Sequence, residues 1–318
     1  MRGVHEGAGH MTTMSIRDAS LFVEVLGQGD PLVLMHGGPG LDHWSLTPFR
    51  QLADRHTVVF YDHRCNGRST GTPVTSMTWD NLTADADALR ETLGFERWAV
   101  LGHSFGGHVA LEYVLRYPER VSRLVLLDTA GDARWSMEHA PEVLADRGHS
   151  RATVAVARRF YTGRIAPGDF VRASMRLVPA YDSRFSLIRA ARELAEGGWR
   201  TKTRPEALIF GFSQLTPGWN VMDRLGEINA PTLVIAGHDD FLYPPESQAL
   251  LAAGIPNAQL RIIERAGHNP HAERPAETLG AIRAFLDAAP TSVVAAAERP
   301  RRTRRRRPTA GAREPAHA

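Results

Sequence analysis

Cysteine is nearly missing from this 318-residue chain, in which Cys65 stands alone. A lone thiol excludes an internal disulfide and any zinc cluster built on thiolates. Lysine is as scarce: of 38 Lys and Arg residues only Lys202 is a lysine, so the positive charge is carried by arginine. No apolar run approaches the roughly 18 residues that a membrane-spanning helix needs. The first fourteen residues, which include His5, Glu6 and His10, lack the apolar centre of a secretory leader. They are expected to belong to a disordered lead-in over residues 1–19, with Met11 and Met14 as alternative starts. The 14 histidines are scattered and none is spaced H-x-x-x-H. Neither a metal nor a cofactor is expected, and the expected compartment is cytoplasmic.

The charge balance is uneven. Residues 299–318 hold eight arginines and one acid, Glu314, so they carry +7 of a chain total of +3 and leave −4 on the rest. A proline-broken Arg/Thr/Ala segment is the kind of composition that stays unfolded, and residues 289–318 are expected to form a disordered tail. The remainder has no basic stripe, so nucleic acid is not an expected partner of the core.

What the chain does have is alternation. Leu21–Val25, Leu32–Met35, Thr57–Tyr61, Trp98–Leu101 and Leu124–Leu127 are short apolar runs suited to buried strands. Between them, Leu82, Ala86, Leu89 and Leu93 share one helical face that Gly94 ends. Val109–Tyr117 shows a second helical spacing. Strand and helix patterns resume at Pro231–Ala236 and Gln259–Ile263 and close with a helix over Pro275–Asp287. This rhythm predicts a mostly parallel, doubly wound sheet with helices on both faces. It is broken over 132–220, a stretch of helix formers with ten of the 24 aromatic residues. The expected organisation is therefore a core from 20–131 and 221–288 and a helical lid insertion at 132–220, placed where open α/β sheets bind ligands.

Chemistry concentrates after the strands. Gly102-His103-Ser104-Phe105-Gly106 joins a strand to a helix, and a sharp turn there would expose the Ser104 hydroxyl, with glycines relieving the crowding. The Phe105 N–H at the new helix start suits an oxyanion. A serine needs a base and a group to orient that base. Downstream, Asp239 and Asp240 follow one strand and His268 follows the next, so the order is serine, acid, histidine. His36-Gly37-Gly38-Pro39-Gly40 follows the Leu32–Met35 strand directly. Its glycines would bring backbone N–H groups, that of Gly38 first, to the same oxyanion, while His36, Gly37, Pro39 and Gly40 support the loop. Asp62 and Arg64 are candidates for an ion pair bracing it, although such pairs are more often structural. Cys65 is not expected to be a nucleophile, since no base lies at a recognisable spacing.

Taken together these motifs resemble the α/β-hydrolases, and within them the proline iminopeptidase group, over about residues 20–288. HGGPG matches at 36–40, Tyr61–Ser69 is similar to YDQRGxGxS, and GHSFGG spans 102–107. The acid and histidine loops are GHDDFLYPPE from Gly237 and GHNPHAERPAE from Gly267. The resemblance implies that the acid is Asp240 rather than Asp239 and that the base is His268 rather than His271. It departs from the group at Cys65, where glycine is usual, and at Phe105, where tryptophan is common. The group holds its substrate's free imino group with acidic lid residues. Here the insertion has nine acids, Glu138, Glu142, Glu193, Glu196 and Glu206 among them, against fourteen Arg and Lys.

The expectation is thus a serine hydrolase working through Ser104, His268, Asp240 and an acyl-enzyme. Its leading substrate would be a small peptide or amide with a free, proline-like N-terminal residue. An esterase, lactonase or carbon–carbon bond hydrolase is the alternative within enzymes. A ligand-binding relative without turnover is the alternative outside them.

Overall fold

In the computed structural model, which describes residues 10–195 and 200–288, eight strands form one sheet. They are β1 (His10–Ile16), β2 (Ala19–Leu26), β3 (Asp30–Met35), β4 (His56–Tyr61), β5 (Trp98–His103), β6 (Val121–Leu127), β7 (Thr232–Gly237) and β8 (Ala258–Ile263). Their spatial order is β1-β2-β4-β3-β5-β6-β7-β8. The first three pair antiparallel, β1 on β2 and β2 on β4, and every later pair is parallel. Parallel strands need helical crossovers that cover both faces of the sheet, which is why the central runs are apolar without a break.

The period-2 geometry of a strand sorts those runs between two layers. Val33 and Met35, Val59 and Tyr61, and Trp98 and Val100 face one core with helices α1 (Trp79–Thr92) and α2 (Phe105–Arg116). Leu32 and Leu34, Val58 and Phe60, and Ala99 and Leu101 face the other. There they meet a 3-10 helix over His43–Asp54 and the C-terminal helix over Pro275–Leu286.

Residues between β6 and β7 are helical. They form α3 (Ala140–Asp146), α4 (Arg151–Phe160), α5 (Phe170–Leu177), α6 (Leu187–Ala195) and α7 (Pro205–Phe210), with short 3-10 and π turns between them. Asp132 and Asn220 form a β-bridge across the base of this insertion. Its interior is a third cluster in which Phe160, Tyr161, Phe170 and Leu177 pack on Phe241, Leu242 and Tyr243 of the core. After β7 come α8 (Pro245–Gly254), α9 (Pro270–Glu273) and α10 (Pro275–Leu286).

One sequence expectation is corrected. Residues 10–16, assigned to a disordered lead-in, are strand β1, which pairs with β2 from His10–Val25 to Ile16–Ala19. As an edge strand it is buried on one side only: Ile16 is buried and Met14 packs against the first core, while Met11 and Thr13 are exposed. A run of that kind carries half the apolar signal of a central strand. Residues 1–9 and the arginine-rich tail expected over 289–318 lie outside the described residues.

Candidate active site

Ser104 occupies the junction between β5 and α2 at φ 55° and ψ −123°. A non-glycine residue held there costs of order 1–3 kcal/mol, and the surrounding bonds keep it in place. Its N–H donates to the Leu127 carbonyl (3.0 Å). Its carbonyl accepts from the Gly107 N–H (2.8 Å) and from the Thr129 hydroxyl (2.8 Å). Gly106 permits the turn, because a Cβ there would stand 2.0 Å from the Met35 carbonyl oxygen. The Ser104 side chain caps no helix N–H and lines a cavity with His268, Gly38 and Phe105. Phe105 is the first residue of α2, and a helix's first N–H groups have no partner within the helix.

His268 meets Asp240 and not Asp239. Its Nδ1 is 2.8 Å from Asp240 Oδ2, and both side chains are buried. The other Asp240 oxygen accepts from the Leu242 N–H (2.8 Å). Asp239 points away, bonding the Ser183 hydroxyl and His238. The His268 backbone is anchored at both ends: its N–H donates to Tyr181 O (2.8 Å), and its carbonyl lies 3.0 Å from His103 Nε2. Burial pushes His103 well below the usual imidazole range, so its ring is neutral and Nε2–H is the donor. His103 had no assigned role in the sequence, and its only signal was its place inside the serine motif. His271 is fastened elsewhere, with Nε2 3.1 Å from Ser45 O and its ring stacked on Phe49. Burial takes it down to about 4.

Asp128, at the end of β6, is a second residue the sequence did not single out. Oδ1 accepts the Gly237 N–H (2.7 Å), whereas Oδ2 is buried without a donor among the described residues. Burial, and then the neighbouring Asp240 carboxylate, push Asp128 well above the carboxylate range. A proton on Asp128 resolves both facts, because the acid then donates to Asp240 instead of repelling it.

The 36–40 loop rests on the Tyr61–Ser69 segment. His36 Nδ1 meets Gly37 O (2.9 Å) and its Nε2 accepts the His63 N–H (3.1 Å), while Gly40 N–H donates to the Asn66 amide oxygen. Asp62 accepts from the His43 ring (2.6 Å), the His43 N–H (3.0 Å) and the Arg68 N–H (2.9 Å). Burial alone would raise Asp62, but His43 outweighs it and brings the acid down to about 2. The suggested Asp62–Arg64 pair does not form. Arg64 instead joins Asp85 (2.6 Å) and Asp18 (2.7 Å), on the side of the segment facing the β1–β2 hairpin. Cys65 lies at φ 64°, a conformation that favours glycine and accounts for the usual residue there. Burial raises its thiol, which keeps it protonated.

The cavity above Ser104 measures about 410 Å³, within the range of small-molecule sites. The insertion lines it with Phe160, Phe170, Leu177, Leu208 and Phe212. Tyr161 and Tyr181 join their hydroxyls across it at 2.7 Å. Residues 181–183 lie directly on the histidine loop. A Cβ at Gly267 would fall 2.3 Å from Tyr181 O. Glu273 ties the two segments by accepting the N–H groups of Gly267 (2.7 Å) and Ser183 (2.9 Å). Among the described wall residues the only carboxylate is Asp182, which is ion-paired with Arg189. Glu138, Glu142 and Glu206 are exposed and not on the wall. The Glu193 side chain and Glu196 lie outside what the structure describes. No group of three His, Cys, Asp or Glu side chains among the described residues is arranged to hold a metal ion. No helix among them is long and apolar enough to cross a membrane.

The chain as a whole is similar to known proteins. The model of the alpha/beta hydrolase fold family matches residues 30–275. Proline iminopeptidase PfmaB of Pestalotiopsis fici is 27% identical over 86% of this chain and 98% of its own. A 2-hydroxy-6-oxononadienedioate/2-hydroxy-6-oxononatrienedioate hydrolase of Comamonas testosteroni is 29% identical over 76% of this chain and 82% of its own. The crystal structure of a proline iminopeptidase of Mycobacterium smegmatis superposes with a TM-score of 0.69 at 26% identity, covering 87% of this chain and 97% of that one. With its eight-stranded sheet and a family match over most of its length, the chain belongs to the α/β-hydrolases, as a proline iminopeptidase-like hydrolase.

Proposed function

We propose that the protein is a serine hydrolase whose nucleophile, base and orienting acid are Ser104, His268 and Asp240. The observation that carries this reading is the buried 2.8 Å bond to Asp240 made by His268, which lines the same cavity as the strained Ser104. With Nδ1–H given to Asp240, His268 Nε2 is left as a base. It accepts the Ser104 proton as Oγ attacks a carbonyl, and it later returns that proton to the leaving group. The N–H groups of Gly38 and Phe105 receive the developing oxyanion, a donor pair of which each member is worth about 3 kcal/mol in hydrolases. Water then attacks the acyl-enzyme by the same route.

For the substrate, an uncharged, apolar segment next to the scissile carbonyl fits the described wall best. A buried substrate ammonium needs a carboxylate partner, and Asp182 already has Arg189. The reading is therefore an esterase, a lactonase or a carbon–carbon bond hydrolase acting on a small carbonyl compound. The aminopeptidase reading has its own support in the position of Asp182 on the wall and in the named relatives. The insertion acts in either case as a lid that selects substrate.

A panel of a proline arylamide, an alanine arylamide, a short acyl ester and a lactone separates these readings. The ester or lactone should be turned over fastest, and Ser104→Ala should abolish that turnover with an unchanged melting temperature. A proline arylamide preferred over both would reinstate the aminopeptidase. Full activity in Ser104→Ala would end the mechanism.

A further inference from the structure

A second hollow of about 880 Å³ adjoins the catalytic cavity and shares Asp182 and Arg189 with its wall. Five arginines line it (147, 184, 189, 265 and 274), together with the carboxylates Asp182, Asp239 and Glu273. All three acids are engaged where the insertion meets the core. Asp182 pairs with Arg189, and Asp239 bonds Ser183 and His238. Glu273 holds two backbone N–H groups and lies 3.7 Å from Arg189.

Apart from Arg189, the arginines have no ion pair in return among the described residues. Arg147 donates to the backbone carbonyls of Asp239 and Asp240, and Arg274 to that of Arg265. Among the described residues, Arg184 and Arg265 make no ion pair, and both are exposed. A guanidinium bonded to a carbonyl keeps its full charge and further donors. With Arg184 and Arg265, Arg147 and Arg274 make four guanidiniums around one polar hollow, and they present planar forks suited to a carboxylate or a phosphate. Their summed field draws an anion toward them.

We propose that this hollow receives an anionic group of the substrate, a carboxylate or a phosphate, while the scissile carbonyl sits at Ser104 in the apolar cavity. The substrate class is then an amphiphile with a neutral, apolar reacting end and an acid at the far end, and the Asp182–Arg189 pair stands on the wall between the two. This inference rests on the serine-hydrolase reading above.

Two matched pairs of esters, each differing in one charged group, test it and separate the two sources of the charge. The first pair is an ω-carboxyacyl ester and its ω-methyl ester counterpart, with the acid on the acyl side. The second carries a phosphate on the leaving alcohol, or a hydroxyl in its place. One charged member should exceed its neutral partner in kcat/KM by about ten-fold or more, the scale of a charge-assisted hydrogen bond. The gain should lie mainly in KM and shrink as salt is raised. In Arg184→Gln/Arg265→Gln the charged-to-neutral ratio should fall toward one. No preference in either pair, or a ratio unmoved by salt and by the double variant, overturns the anion site and leaves the hydrolase intact. If no ester is hydrolysed by the wild type, or Ser104→Ala hydrolyses them equally, the underlying reading has failed instead.

Discussion

Ser104, Asp240 and His268 stand on loops pinned from within the sheet, whereas the insertion over them is held by aromatic packing and by polar ties at its margins, at Arg147, residues 181–183 and residues 200–204. On the sheet side nearly every constraint is a backbone bond or a buried charge network. The Ser104 carbonyl is held twice, His268 is held at both backbone ends, and Asp62 is locked by His43 and Arg68. On the insertion side Phe160, Phe170, Phe212 and Leu208 supply shape, and the tethers run along its margins, from Ser183 to Glu273 and Asp239, from Lys202 to Asp42 and from Arg204 to the Gly67 and Ser69 carbonyls. Networks of short bonds fix geometry to fractions of an ångström, while apolar packing tolerates rearrangement at similar volume. The proposed mechanism calls for that difference, one fixed geometry at the serine beneath a wall whose shape selects the substrate.

The comparison breaks first at the paired aspartates. Asp240→Asn should lower kcat by about 10⁴, the loss expected when the imidazole loses its orienting carboxylate. Asp239→Asn, which loosens one half-buried tie to Ser183, should cost no more than a few-fold. Equal losses in steady-state kinetics would show that the chemistry does not depend on the buried pair.

A smaller effect is expected where the two regions meet. Glu273→Gln turns one of two acceptor oxygens into a donor and leaves the Gly267 or Ser183 N–H unsatisfied. That should cost about 1–3 kcal/mol and raise KM more than it lowers kcat. Hydrogen exchange at residues 181–183 should speed up. If exchange there stays at the wild-type rate, Glu273 does not dock the insertion.

The last effect concerns stability and its sign, and leaves the kinetics of the site aside. Asp128 is held above its unfolded value by burial and by Asp240, so the folded protein keeps a proton that the unfolded chain releases above about pH 3.9. Stability is therefore lost as pH rises from there toward the folded value, at up to ~1.4 kcal/mol per pH unit. Asp128→Asn keeps an acceptor for Gly237 and a donor for Asp240 without that proton. It should melt higher than the wild type at pH 8, and the gap should close toward pH 4. A variant that melts lower at pH 8 would mean that Asp128 is ionised.

The fold was legible because a parallel sheet covered on both faces writes long apolar runs, and the serine, acid and histidine loops follow those runs directly. Strand β1 was not, since a one-sided edge strand of Thr, Met and Ile carries half that signal. Asp128 and His103 were not legible either, because their partners, Gly237, Asp240 and His268, lie far along the chain.

The sequence by itself determined the strand–helix alternation, the turn at Ser104 and the succession of polar loops after the strands, because these depend on periodicity and on the demands of adjacent residues. Only the tertiary structure decided that His268 bonds Asp240, that Asp62 bonds His43 rather than Arg64, and that the described insertion glutamates stay in solvent while Asp182 reaches the wall. Those outcomes turn on which distant side chains share a buried space, where low dielectric makes every pairing matter, and no local pattern encodes them.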